Sequence, residues 1–250
     1  MMNIAIYPTT LSLKTSAYTL AHQLHLPIIL KEDEINAYDY LLLLTPDYLG
    51  LQKVDSQAKP IYVDFLSEKM RYRLKHLSLK NEALARALGL KKKAVAPRIV
   101  DATGGFGRDS FILASLGFDI IILERSPIIH ALLLDGLNRA ASFTQTTQRI
   151  QVYQQDALLW LNQTPRPDMI YLDPMFPLKK KSALNQQEMR CLQDIIGEDI
   201  DQTDLLQQAL ACAISRVVVK RPRTADYIAS TKTPSYSLIG NSNRFDVYIT

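Results

Sequence analysis

The 250-residue sequence is poor in cysteine and tryptophan, with two of the first and one of the second. It also lacks any apolar run approaching the roughly 20 residues that a bilayer-spanning helix needs. Cys191 and Cys212 stand apart, in stretches of helical composition, with no CxxC pair and no neighbouring histidine. That spacing argues against a disulfide framework or a zinc site and fits two reduced thiols. No charged segment followed by an apolar one opens the chain, so a cytoplasmic protein with no membrane partner and no metal is expected. Internal repeats and low-complexity tracts are absent. Charge of one sign is not in large excess: 29 Lys and Arg against 25 Asp and Glu give a net +4. That mild basicity is compatible with a polyanionic partner without requiring one. Hydrophobic residues at 47% are sufficient for a sizeable core.

Three regions are expected. Residues 1–66 read as a small α/β domain: a strand at 3–7, a helix at 12–24, an apolar run at 40–44 and an alternating strand at 60–65. Residues 67–97 form a basic linker and helix. Its stretch 67–93 holds nine Lys or Arg against two Glu, with a helical part at 81–90 closed by Gly89. Such a run is either a solvated helix face or a phosphate-contacting patch, with Arg71 and Arg73 as RNA ligands and Tyr72 and His76 interleaved among the basic residues. From 98 to 250, apolar strand runs alternate with helical stretches. This pattern predicts a doubly wound, mostly parallel sheet of the Rossmann-like type. Gly240-Asn241 between two β-rich runs predicts a terminal hairpin.

The segment 98–109 reads RIVDATGGFGRD. A strand ending at Asp101 runs into Gly104, Gly105 and Gly107, and a helix opens near Asp109. Glycines permit a sharp turn and close approach of a ligand, and the N–H groups at a helix start favour an anionic or electron-rich group. Glu124 ends the next strand just over twenty residues on, where such folds place a carboxylate for the ribose hydroxyls; it is otherwise a helix N-terminal charge. Asp156 follows a third strand and either accepts from an adenine amino group or is a plain N-cap. The TGGFG spacing lacks the GxGxxG suited to a pyrophosphate, which argues mildly against a nicotinamide cofactor. S-adenosylmethionine (SAM) fits better: Asp101 can attract its ammonium group, and Arg108 or the loop N–H groups its carboxylate.

The strand at 169–172 ends in DPMFP, residues 173–177. An exocyclic amine on a nucleobase is a poor nucleophile because its lone pair is delocalised into the ring. Methylating it requires two acceptors for its N–H bonds and an aromatic face to hold the ring plane. Asp173, the Pro174 carbonyl and Phe176 supply these in order. Lys179, Lys180 and Lys181 follow directly, and Lys220 and Arg221 end the next strand. Together with the 69–93 cluster they are candidate phosphate contacts on one rim, or simply solvated loops.

These runs resemble a known family. VDATGGFGRDSFILASLG, ILERSP, PRPDMIYLDPMFPLKKKSAL, RVVVKRP and RFDVYI, with VDFLSEKMRYR ahead of them, are similar to segments of the bacterial small-subunit ribosomal RNA guanine-N2 methyltransferases, the RsmJ family. The likeness covers roughly residues 60–250, and DATxGxGRD and YLDPMFP occur together in order. It implies a SAM-binding domain and methylation of a guanosine amino group in 16S rRNA of the small ribosomal subunit. It also implies cofactor contacts from Arg108, Asp109, Glu124 and Arg125, with Asp156 and Ala157 beside the adenine. Asp173 would stand at the methyl-transfer centre. Asp156 departs from the small hydroxyl residues that relatives carry, and Met175 from the proline common in amino-methyltransferases at large. The same loop chemistry also serves adenine-N6 methylation, and a non-catalytic SAM-binding RNA module is a further alternative.

Overall fold

The computed structural model describes residues 2–91, 96–163, 166–174, 191, 193–195, 201–230 and 232–250. Phe176, Lys179, Lys180 and Lys181 lie outside the described residues. A three-stranded N-terminal sheet has the order β1 (Ile4–Pro8), β2 (Tyr40–Leu44), β3 (Leu49–Lys53), with β1 parallel and β3 antiparallel to β2. Helix α1 (Lys14–Leu24) connects the first two strands. Two short helices follow, α2 (Glu68–Lys75) and α3 (Ala83–Ala87). Ser67 caps α2 by accepting from the Met70 N–H, and Gly89 leaves α3 at φ 65°, a left-handed turn that favours glycine.

The large sheet is built from β4 (Ile99–Asp101), β5 (Ile120–Glu124), β6 (Ile150–Gln154), β7 (Met169–Leu172), β8 (Arg216–Pro222), β9 (Tyr236–Ile239) and β10 (Asn243–Ile249). Its order is β6-β5-β4-β7-β8-β10-β9, with β10 antiparallel to both neighbours and the other pairs parallel. The expected Rossmann-like sheet with a terminal hairpin is therefore present. Helices α4 (Arg108–Ser115), α5 (Pro127–Ala141), α6 (Ala157–Gln163) and α7 (Gln202–Cys212) connect the strands.

Both faces of the sheet's centre are covered, which is why strands such as β5 and β7 read as near-continuous apolar runs. Successive residues alternate between two cores. Ile99, Ile122, Tyr171 and Val218 pack with α4 and α5, while Val100, Leu123, Ile170, Leu172, Val217 and Val219 pack with α6 and α7. The first core runs on into the N-terminal sheet. Phe65 stacks on Phe111 with centroids 4.3 Å apart, and the Arg139 guanidinium donates to the Val63 carbonyl.

The strand expected at 60–65 is a correction. Residues 61–65 do alternate between buried and half-buried, but their backbone makes a single bridge, Ile61 to Leu51. Pro60 has no N–H to offer a ladder, and Val63 and Phe65 instead enter the core against α4 and α5. The third strand is Leu49–Lys53, after a Pro46-Asp47 turn in which the Thr45 hydroxyl accepts from the Asp47 and Tyr48 N–H groups.

Gly136 of α5 lies directly against Val63. A Cβ there would lie 2.6 Å from Val63 Cγ1 and 2.9 Å from its carbonyl oxygen. Gly136→Ala gains up to about 1 kcal/mol of helix propensity but overpacks the contact, which costs about 1–3 kcal/mol. We predict a net loss near 1 kcal/mol, read as a melting temperature lower by about 2–4 °C. An unchanged or raised melting temperature contradicts this packing.

Candidate active site

Four parallel strands deliver four carboxylates to one edge of the sheet. Asp101 ends β4, Glu124 ends β5, and Asp156 and Asp173 follow β6 and β7. The register sets Asp101 opposite Ile122 on one side and Tyr171 on the other, so these strand ends are level. The chain moves outward from β4 through β5 to β6 and then returns to β7 on the other side of β4. A ligand crevice forms at such a reversal in parallel sheets.

The glycine loop is fastened to the end of β5. Gly104 N–H donates to the Leu123 carbonyl (2.9 Å), and Gly105 N–H donates to Glu124 Oε2 (2.7 Å). The other Glu124 oxygen accepts from Ser126 N–H at 2.7 Å, and the side chain is buried. At Gly104 a Cβ would meet Ile122 Cγ2 at 2.4 Å, so only glycine lets the loop lie on the strand. Gly107 has φ 66° and starts α4.

Asp101 is 3% exposed and accepts from Ser110 Oγ–H (2.6 Å) and Thr103 N–H (3.2 Å). Burial pushes its carboxyl up to about 7; the bonds from Ser110 and Thr103 oppose the rise, and the nearby Asp109 and Asp173 add to it. Thr103 serves a second strand end, because its hydroxyl oxygen accepts the Asp173 N–H at 2.6 Å.

Beside Asp101 lies a charged cluster. Lys220 Nζ donates to Asp109 Oδ2 and to Asp173 Oδ2, both at 2.8 Å. Tyr171 Oη–H donates to the same Asp109 oxygen at 2.7 Å, and Arg73 of α2 stands 3.6 Å from the other. Although burial disfavours charge on all of them, the Lys220 ammonium holds Asp109 below the usual carboxylate range. Asp173 is raised by burial; Lys220 opposes the rise, and the Asp109 charge adds to it. Against burial, the two carboxylates keep Lys220 protonated well above neutral pH.

The remaining expected residues fall into separate settings. Arg108 is exposed, over the Phe106 ring at 5.5 Å. Arg125 pairs with Asp201 at 2.8 Å. Asp156 acts as the N-cap of α6, accepting from Leu158 N–H at 2.8 Å, with Ala157 buried behind it. Pro174 is buried. Arg71 and Tyr72 are exposed on α2, while Arg73 also bonds both oxygens of Glu82 at 3.1 Å.

Lys220 and Arg221 correct the expectation of a shared basic rim. They are neighbours on a strand, so they point to opposite faces. Lys220 turns into the carboxylate cluster. Arg221 is buried on the other face, where it donates to the Asp226 carbonyl. Sequence reasoning missed Tyr171, Thr103 and Ser110. Tyr171 lies two residues before Asp173 and therefore on its face, a signal that period-2 reading of β7 contains.

Among the described residues no set of His, Cys, Asp or Glu is grouped to hold a metal ion, and no helix is long and apolar enough to cross a membrane. A sheet of this order, with a glycine loop after its central strand and carboxylates on four adjacent strand ends, is that of a SAM-dependent methyltransferase. The family model "Putative SAM-dependent methyltransferase" matches residues 20–250. A "SAM-dependent methyltransferase" from Neisseria gonorrhoeae has a crystal structure similar to this one, with TM-score 0.73 and 32% identity over 98% of this chain and 95% of that one. More particularly, the chain belongs to the ribosomal RNA small subunit methyltransferase J family. The Thioalkalivibrio sulfidiphilus protein of that name is 43% identical, over 99% of this chain and 98% of its own. The one from Nitrosococcus oceani is 40% identical over the whole of both. SAM is accordingly the cofactor.

The Asp101 carboxyl yields a pH prediction. Its folded-state value near 7 exceeds the unfolded 3.8, so the folded protein binds the extra proton between them. Stability from this group is full below the unfolded value and is lost as pH rises toward 7. Asp101→Asn removes that titration. Relative to wild type, we predict that its unfolding free energy gains up to about 4 kcal/mol between about pH 4 and 8. Parallel denaturant curves across that range check it; a constant difference refutes the assignment.

Proposed function

We propose that this protein transfers the methyl group of SAM to the exocyclic N2 amino group of a guanosine in 16S rRNA of the small ribosomal subunit. The observation that carries the reading is the setting of Asp173. Its Oδ2 is bound to Lys220, its Oδ1 has no partner among the described residues, and 38% of the side chain is exposed at the sheet edge. An open carboxylate oxygen is the acceptor that a base amine needs. The names of the relatives and the sequence likeness supply the RNA and the guanine.

The cradle fits the cofactor. Buried Asp101 offers the charge opposite to an ammonium, and Glu124, tied to Gly105, lies where a ribose would be gripped. Gly104, Gly105 and Gly107, with Arg108, Asp109, Arg125, Asp156 and Ala157, complete the set assigned to SAM. When bound, SAM supplies a methyl group on a sulfonium, and the chain's residues do the rest. Asp173 Oδ1 and the Pro174 carbonyl accept the two amine N–H bonds, orienting the nitrogen lone pair. Phe176 is assigned the stacking face.

Three parts share the work in this reading: residues 1–66, the basic stretch 67–97 and the methyltransferase domain 98–250. On α2, exposed Arg71 and Tyr72 face solvent, and Tyr72 lies against His76 with centroids 4.8 Å apart. This surface suits the phosphates and bases of RNA, and Lys179, Lys180 and Lys181 are assigned the same role from the sequence alone. Such a protein works in the cytoplasm, where the subunits are assembled.

Labelled SAM incubated with small subunits or 16S rRNA lacking the modification should place label on guanine N2. Label on adenine N6 instead, or none on any RNA, overturns the proposal. Asp173→Ala should keep SAM binding and lose at least about a hundredfold in turnover.

A further inference from the structure

We propose that Lys220 is a positioning residue for methyl transfer: it takes one oxygen of Asp173 and thereby presents the other to the substrate amine. The inference deepens the reading of Asp173 given above and rests on it.

The geometry is fixed by the parallel pairing of β7 and β8. Leu172 faces Val219, so the next residues, Asp173 and Lys220, stand level at the sheet edge. The Lys220 ammonium is held from two sides, by Asp109 Oδ2 and Asp173 Oδ2, and its side chain is only 24% exposed. Asp109 is itself fixed by Tyr171 and approached by Arg73. It therefore anchors Lys220 from the side opposite Asp173. Among the described residues, the charged and titratable groups of this cluster are Asp109 from α4, Asp173 and Tyr171 from β7, Asp101 from β4 and Arg73 from α2.

Electrostatics give the arrangement a chemical consequence. Asp173 is close enough to Asp109 and Asp101 for their charges to act on one another. Without a cation between them, carboxylates this near one another cannot all stay ionised. A protonated Asp173 would turn from acceptor to donor on one oxygen and lose its grip on an amine N–H. Lys220 opposes that protonation and so favours Asp173 as an acceptor. Its own charge is too firmly held for it to act as a base.

The test compares wild type with Lys220→Met, which keeps the length of the side chain and removes the charge. Aspartate 13C-carboxyl NMR of the RNA-free protein, with the Asp173 signal assigned through Asp173→Asn, reads the midpoint directly. We expect the Asp173 midpoint to rise by about one pH unit or more in Lys220→Met. Lys220→Arg should stay near wild type. The acid limb of the kcat profile should move upward with the midpoint, so that turnover lost at a given pH on that limb recovers at higher pH. Should Lys220→Met fail to fold, Asp109→Asn is the second variant. It leaves Lys220 to Asp173 alone and should lower the midpoint. A folded Lys220→Met with an unmoved midpoint overturns the inference, as does an Asp109→Asn that raises it. Because the NMR titration uses no RNA, a failure of guanine methylation by the wild type is a separate result.

Discussion

One ammonium lies between two carboxylates at the edge of the sheet, and much of the site depends on it. Asp109 opens α4, Asp173 leaves β7, and Lys220 of β8 donates to both at 2.8 Å. Ionised groups removed from water are tolerated only when paired and hydrogen-bonded. Here Tyr171 completes the pairing from below and Arg73 reaches in from α2. Asp101 shows what happens one strand away, where no cation among the described residues bonds to the carboxylate. Hydroxyl and amide donors alone hold it, and its carboxyl rises to about 7. Asp109 and Asp101 thus stand in opposite states in one crevice: Lys220 holds the first below the usual carboxylate range, and burial raises the second.

The crevice is held open by backbone contacts that require glycine. Gly104 lies so close to β5 that a side chain would strike Ile122. That closeness lets Gly105 donate to Glu124, so loop and strand end are one unit. Thr103 extends the unit to β7 by accepting the Asp173 N–H. Behind them, α4 and α5 pack against Phe65 and Val63, so the core beneath the glycine loop is shared with the N-terminal sheet. The basic helix α2 is joined to the same core through buried Met70 and to the site through Arg73.

Most of the sheet was legible because its central strands are buried on both faces. The runs at β5 and β7 are apolar and bounded, and Pro127 behind a capping Ser126 opens α5 where the sequence reads a helix start. The hairpin at β9 and β10 was equally plain from Gly240-Asn241. The stretch 60–65 misled because alternation reports burial, not pairing: Val63 and Phe65 are buried against helices, while Leu49–Lys53 takes the ladder. In the site, the carboxylates at strand ends were visible as acids after apolar runs. The alternative left open at Asp156 corresponds to a cap that the structure displays.

The sequence by itself determined the class of protein. A glycine loop, an acid one strand on and DPMFP after a later strand are local patterns, each set by what a single turn or strand end can present. Only the tertiary structure decided what Lys220 and Arg221 do. Adjacent in sequence and alike in charge, they sit on opposite faces of β8, one drawn to Asp109 and Asp173 and the other buried beside Asp226. The reason is that a pairing of charges depends on which strands are neighbours. Here β7 and β8 are hydrogen-bonded although more than forty residues of sequence separate Asp173 from Lys220.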